Sequence, residues 1–559
     1  MPSTIQKLFI LSKDKSKDPI ALGVPLDFVP AAQLKYLTYK KMVKQTPESK
    51  RRTSTKFLDI KRYEIMLYRS IASAINSGSI FISDSVNYRH LEDELIPLKT
   101  WIRDKDKILK ELSDCLELTS IIELLKEKEE ILEGLYKTVN ARISSGENKA
   151  IKLDDKHKLK WTLPYKRADD KANNPFYDKI QTTSIANVID YTAKYTNFFD
   201  SFTHILNKGS RSQAKPEHLK AYFVSQGASI GSKRMAESPD VSLDNLNKVG
   251  AKFVRFNTLV EACNQIINKT AQLPIFSYYN LSDYGIHASL DGQKVETKYQ
   301  TILSRYSTKY FGYGKGVVSY SLIANHLPVN TKIIGANEHE SHHVLDIVYH
   351  NTSDLKITSV SGDMHSVNRV NFALMNLFGY DFMPRFTQVN FKAEKKLVSF
   401  RKTSEYENFL IKPSSEVKKD LIIDEWDNIL RILASLAMKE TTQSIIIKKL
   451  SSYSKANPTL KALIEYDKII MSTYMLNYID DITLRRRVYR ALNRGESFHQ
   501  LRSAILQISG KKLLGKTDIA FEVSNQCNKL LGCCIIYYNT SILSELLVRA
   551  EAEGEQRIM

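Results

Sequence analysis

Apolar residues recur at two different periods along this chain, and the change of period divides it. From Tyr63 they fall three and four apart, so that Tyr63, Leu67, Ile71 and Ile75 share one helical face and Gly78 supplies a stop. Leu112, Cys115, Leu116, Ile121, Leu124, Leu125, Leu132, Leu135 and Val139 continue the same period with Lys and Glu between them. Too few clean heptads follow one another for a coiled coil, so the pattern reads as an amphipathic helix packed within its own domain. Ser144-Ser-Gly-Glu-Asn-Lys149 ends this segment, and the polar residues 150–175 read as a linker or exposed loop. Helical texture returns near Ser184, where Phe198, Phe199, Phe202 and Ile205 surround His204 as a core histidine.

From about residue 276 the texture changes to strands. Ile286–Asp291, Val317–Ala324 and Thr331–Gly335 read as three strands, followed by a helix at Ser341–His350. Leu355–Ser361 is a fourth strand, Val367–Phe378 a helix and Phe382–Phe386 a fifth strand. Three strands, helix, strand, helix, strand is the RNase H-like order. It predicts a mixed five-stranded sheet with Asp291 at the end of its first strand and Asp363 just after its fourth. Gly292 is read as letting the chain turn directly after Asp291.

The expected fold class is therefore mixed: a mainly α-helical N-terminal half, then an RNase H-like α/β catalytic core carrying an all-α insertion. The expected divisions are 1–60, a basic tail or arm; 61–150, a helical region; and 151–275, a linker and helical region leading into the core. Residues 276–400 are the first part of the core and 401–480 a helical insertion. Residues 481–510 form a core helix carrying Glu496, and 511–559 a C-terminal helical segment. The insertion is needed because Asp363 and Glu496 stand 133 residues apart (496 − 363).

Charge narrows the function. Lys+Arg total 81 against 62 for Asp+Glu, a formal excess of 19, which points to a polyanionic partner, nucleic acid before an anionic membrane surface. Lys40, Lys41, Lys44, Lys50, Arg51, Arg52, Lys56, Lys61 and Arg62 crowd one stretch, readable as a phosphate-contacting arm or as a solvated tail. The five cysteines, Cys115, Cys263, Cys527, Cys533 and Cys534, form no CxxC pair, as expected in a reducing compartment. The N-terminus lacks a signal-peptide core, and the apolar run Leu530–Tyr538 is short against the ~20 residues of a spanning helix. The expectation is a bacterial cytoplasmic, nucleoid-associated protein without a membrane partner.

Phosphodiester cleavage concentrates negative charge, which two hard cations about 3.5–4 Å apart can relieve. Three carboxylates on a sheet and one helix suit them: Asp291 to bridge both ions, Asp363 and Glu496 to hold one each. Lys315, Arg385, Arg487, Arg490 and Arg494 are candidate contacts to DNA phosphates. A rival motif, His339-Glu-Ser-His-His343, matches HExxH, the zinc-protease helix signature. It follows a strand directly and has no clear third ligand, so a protease is the weaker reading.

The stretches Asp291-Gly-Gln293, Tyr310-Phe-Gly-Tyr-Gly-Lys-Gly316, Leu377-Phe-Gly-Tyr380 with Pro384-Arg385, and Leu492-Asn-Arg-Gly-Glu496 resemble those of Tn3-family transposases. Phe202-Thr-His-Ile205, Lys233-Arg-Met-Ala236 and Ile535-Ile-Tyr-Tyr-Asn-Thr540 extend the likeness over residues 60–550. The resemblance implies a DDE enzyme using Mg²⁺ (two ions, with Mn²⁺ able to substitute). It implies nicking at inverted-repeat ends of double-stranded DNA, transfer of the freed 3′-OH groups into target DNA, and a homodimer pairing two ends. Family members are longer on the N-terminal side, where the inverted repeats are recognised, and carry a further C-terminal tail. The expectation is accordingly a truncated or split transposase. The alternative is a catalytically inactive remnant that only binds DNA.

Overall fold

The computed structural model describes residues 36–552 except 47, 77–79, 83, 86–87, 117–119, 154–158, 162–181, 207–212, 239, 388–394 and 453–456. Much of the basic arm and most of the polar stretch 150–175 lie outside the described residues. The chain divides into two units, residues 1–99 with 445–457, and residues 100–444 with 458–559.

In the first unit, the basic stretch is not a tail. Thr38–Lys44 pairs antiparallel with Arg52–Leu58 as a hairpin, leaving Lys40, Lys41 and Lys44 exposed. The buried Glu94 carboxylate is neutralised from two sides, by Arg89 at 2.8 Å and Lys449 at 2.6 Å. A carboxylate that deep requires such pairing.

The second unit holds a helical layer and a sheet. Helix α1 (Ile121–Ser144) is the amphipathic stretch read from the sequence. It buries Leu124, Leu125, Leu132, Tyr136 and Val139 inside this unit, and Tyr136 donates to the Val398 carbonyl at 2.9 Å. Helix α2 (Phe256–Ala271) leads towards the sheet.

Strand β1 (Ile286–Thr297) is the centre of that sheet. It pairs antiparallel with β2 (Lys315–Ala324), which pairs antiparallel with β3 (Leu327–Gly335). A 3₁₀ turn at Glu340–His343 and helix α3 (Val344–Tyr349) lead to β4 (Ile357–Gly362), which returns parallel to β1. Helix α4 (Asn371–Leu377) then leads to β5 (Asp381–Phe382), parallel to β4. The order across the five main strands is β3-β2-β1-β4-β5; the two-residue strands Arg305–Tyr306 on β2 and Lys512–Leu513 on β1 make the sheet seven-stranded, not five-stranded as expected.

Strand β1 does not end at Asp291. It runs six residues further, with Asp291 opposite Ser321 and Gly292 opposite Tyr320. Gly292 is extended backbone within a strand and not a turn. Strand β4, in contrast, stops where Leu290 faces Gly362. Among the described residues, the same edge of β1 is taken up again only at Glu296 and Thr297, by Lys512–Leu513, and residues 291–295 form an open edge.

After β5 come helices including α5 (Pro458–Asp480), then α6 (Ile482–Leu506) and α7 (Asp518–Ala552). Helix α7 is long and apolar enough to cross a membrane by length and composition, which the short run Leu530–Tyr538 did not foretell. Half of its apolar window is buried in the fold. Polar side chains fasten it to the sheet: Gln526 donates to the Thr331 carbonyl at 3.2 Å and Lys529 to that of Val329 at 2.8 Å. A buried amide and ammonium with such partners mark a core helix.

Candidate active site: carboxylates around the central strand

Helix α6 is pressed onto β1 at a glycine. A Cβ on Gly495 would lie 3.1 Å from Ser289 Oγ and 3.7 Å from Asp291 Cβ, so the helix packs closely enough that a side chain there would press on the Ser289 hydroxyl. Gln293 fixes the register, its amide donating to the His499 carbonyl at 3.0 Å and to Ser503 Oγ at 2.7 Å. The residue after Gly495 is Glu496, and one turn on is His499. Oxygens of Asp291 and Glu496 and a ring nitrogen of His499 all lie within 4.8 Å of one another.

Two of the three carboxylates named from the sequence are therefore brought together directly. Asp363 follows the last residue of β4 and caps a 3₁₀ turn, its Oδ1 accepting from the His365 amide at 2.8 Å. It stands outside the 4.8 Å grouping, close enough for its charge to act on Asp291. Burial pushes the Asp291 carboxyl above the ordinary carboxylate range, and the charge of Asp363 pushes it further. The Gly292 amide, donating to Asp291 Oδ1 at 2.8 Å, and the charges of Lys294 and Arg385 oppose the rise. Clustered, part-buried carboxylates of this kind disfavour one another's charged form, and a bound cation reverses that balance.

His499 was missed in the sequence. Its Nδ1 lies 3.4 Å from Asp291 Oδ2, yet burial holds its pKa down at about 4. The imidazole is neutral near pH 7, so the contact is a polar one between a neutral ring and a carboxylate, not an ion pair. Its spacing of three from Glu496 on one helix was the signal available.

The HExxH residues do not form a metal site of the protease kind. They straddle a 3₁₀ turn, with His339 preceding it in extended conformation. His343 is held by Glu338 at 3.1 Å. Glu340 turns the other way, onto Gly292: its Oε1 lies 2.3 Å from where a Gly292 Cβ would stand. Among the described residues, the grouping suited to a cation is at Asp291, Glu496 and His499.

The basic candidates differ in availability. Arg487 and Arg490, with Arg486, Leu281 and Thr483, line a pocket of about 270 Å³. Lys315 donates to Gln300 at 2.7 Å and lies over the Tyr306 ring, and Arg385 lies 5.7 Å from the Tyr489 ring centre. Arg494 is half-buried and donates to Asn325 at 3.0 Å; burial lowers its pKa to about 10.

Residues 187–557 match the family model described as the Tn3 transposase DDE domain. The chain belongs to the Tn3 transposase family. It is 29% identical over 511 residues to the transposase of transposon Tn2501 from Escherichia coli, covering 89% of this chain and 49% of that protein. It is 25% identical over 504 residues to the transposase of Tn1546 from Enterococcus faecium, with the same coverage. Identity to the gamma-delta transposase of Escherichia coli K12 is 21% over 506 residues. The chain spans about half the length of these Tn3-family relatives.

Proposed function

We propose that this chain carries the catalytic core of a Tn3-type DNA transposase, with the β3-β2-β1-β4-β5 sheet as an RNase H-like scaffold. Asp291, Asp363 and Glu496 are its metal-binding triad. The observation that supports this best is the convergence of Asp291 and Glu496, from a central strand and a distant helix, beside Asp363 at the end of β4. The donor set fits hard divalent cations: carboxylate oxygens with a neutral imidazole adjoining, around an Asp291 whose ionised form burial and the charge of Asp363 disfavour. Two Mg²⁺ ions, for which Mn²⁺ can substitute, would supply Lewis-acid stabilisation of the charge that develops as a phosphodiester is opened.

The protein's part is placement. Gly495 and Gln293 lock Glu496 against the strand that carries Asp291. Arg385, whose charge already bears on Asp291, and the pocket lined by Arg486, Arg487 and Arg490 would hold flanking phosphates. The reaction has two displacements at phosphorus. Water opens the strand at the transposon end and leaves a 3′-OH. That hydroxyl then attacks a target phosphodiester, whose own 3′ oxygen departs. Partners are the inverted-repeat ends and target duplex, with a homodimer pairing two ends.

The test is strand transfer from pre-cleaved ends in Mg²⁺ or Mn²⁺. Joined product is expected from the wild type, with a loss of about 10³-fold or more in Asp291→Asn and Glu496→Gln. Equal product from either variant overturns the assignment. DNA binding without product from the wild type supports instead a chain that only occupies DNA.

A further inference from the structure

Gly292 raises a question that the triad does not answer. A mid-strand glycine is a poor choice for a strand, since it packs nothing and costs backbone entropy. Here its missing side chain is replaced by another residue's carboxylate. The Glu340 carboxylate occupies the place where a Cβ would stand, so any side chain there would displace it.

Glu340 is held there. Lys294 Nζ approaches its Oε1 to 3.5 Å while lying 4.5 Å from the centre of the Tyr310 ring. Its side chain is only 10% exposed. Beneath it is Tyr320, which faces Gly292 across the β1–β2 pair and is wholly buried. Among the described residues the Tyr320 hydroxyl has no hydrogen-bond partner of ordinary geometry, and neither does the nearby Ser366 hydroxyl. The Ser366 side chain acts on the phenol as a hydrogen-bonding neighbour. After burial itself, the charges around that phenol are those of Glu340, Asp291 and Asp363. A phenol fully buried beneath three carboxylates gives the strand a polar lining on this face, where an apolar core is the ordinary arrangement.

Successive residues of a strand point to opposite faces, so Glu340 meets β1 on the face away from α6. The open edge joins the two faces. Beyond Leu290 the neighbouring strand has ended, and Asp363 occupies the position just past its last residue. Carboxylates from above and below β1 can thus face one cation across residues 291–295.

We propose that Glu340 is a fourth carboxylate of the metal centre, facing the divalent ion on the Asp363 side of Asp291. This rests on the metal-centre reading of Asp291, Asp363 and Glu496. Lys294 is then the cation that occupies Glu340 when the divalent ion is absent, and it competes with that ion. The geometry assigns to Gly292 the task of admitting the carboxylate.

Mn²⁺ titrations of the full chain test this, followed by electron paramagnetic resonance of the free ion and without any DNA. The wild type is expected to bind Mn²⁺. Glu340→Gln is expected to weaken one site about 10-fold, with no fall in metal-free melting temperature. Lys294→Gln is expected to tighten binding severalfold, a gain that disappears in the Lys294→Gln, Glu340→Gln double variant. A merely structural Glu340 would not produce that coupling. Wild-type affinity in Glu340→Gln, or an undiminished gain in the double variant, overturns this proposal alone. No Mn²⁺ binding by the wild type overturns the metal-centre reading and this proposal with it.

Discussion

The two faces of strand β1 are built in opposite ways around neighbouring residues. At Asp291 the strand supplies the carboxylate, and a 25-residue helix arrives with a glycine at the crossing. At Gly292 the strand supplies the empty space, and a four-residue 3₁₀ turn brings the carboxylate to it. The first face is clamped by Gln293 onto α6; the second is held by an ion pair from Lys294. The alternation of a strand, which ordinarily separates core from solvent, here distributes acidic groups to both sides of one backbone. It can do so only because the adjacent strand has already ended.

The comparison can be broken most severely at Gly292. Gly292→Ala places a Cβ where the Glu340 carboxylate stands, and that side chain must swing away from Lys294 while the strand and the turn stay in place. A loss of about 2 kcal/mol is expected in denaturant unfolding, as for a largely buried charged group deprived of its partner. Gly495→Ala meets a hydroxyl at 3.1 Å that can rotate aside, so less than about 1 kcal/mol is expected there. Equal costs at the two glycines would show that the faces are closed alike.

Gln293→Leu removes two hydrogen bonds to α6 and is expected to cost about 1–2 kcal/mol. It should also lower strand transfer through misplacement of Glu496, while Mn²⁺ at high concentration restores part of the rate. An unchanged unfolding midpoint would remove the clamp from the account.

The smallest effect concerns pH. Burial raises Asp467, which accepts from the Ala373 amide at the start of α4, to about 7. Its pKa is higher folded than unfolded, so its contribution to stability is fully present below the unfolded value of 3.8. That contribution is lost as pH rises towards 7. Melting between pH 5 and 8 should therefore show a shallower decline in Asp467→Asn than in the wild type; parallel profiles would discharge Asp467 from this role. Asp291 is raised by burial and by the charge of Asp363, and Glu340 by burial and by the charges of Asp291 and Asp363, so they act in the same direction. Divalent ions should flatten that part of the profile.

The sheet was legible because its strands alternate or run apolar, and the order of its five main strands in 286–386 followed from that, while the strand Arg305–Tyr306 and the short helix Thr308–Phe311 between the first two were not read. Strand β2 was read at Val317–Ala324 and is found at Lys315–Ala324. The length of β1 was misread because Asp-Gly is the strongest short turn signal, and only a contact made by a residue far along the chain explains the glycine. Glu340 was seen, but as part of a protease motif. The spacing of HExxH has meaning only on an α-helix, and the turn at Glu340–His343 is 3₁₀. The hairpin at Thr38–Leu58 was hidden beneath its charge, and His499 beneath the ordinary appearance of a helical histidine. Asp291 and Glu496 were named from their local sequences; their approach was not readable there, since it depends on Gly495 and Gln293 meeting across the fold.

Helix α6 lies beyond the helices that follow β5, and this has a consequence for the order of assembly during synthesis. A nascent chain that has reached Asp480 contains Asp291 and Asp363 but not Glu496. Strand β1 then lacks the helix that covers one of its faces, and Gln293 lacks its partners. The grouping of Asp291, Glu496 and His499 closes only when α6 has been made and has docked on β1.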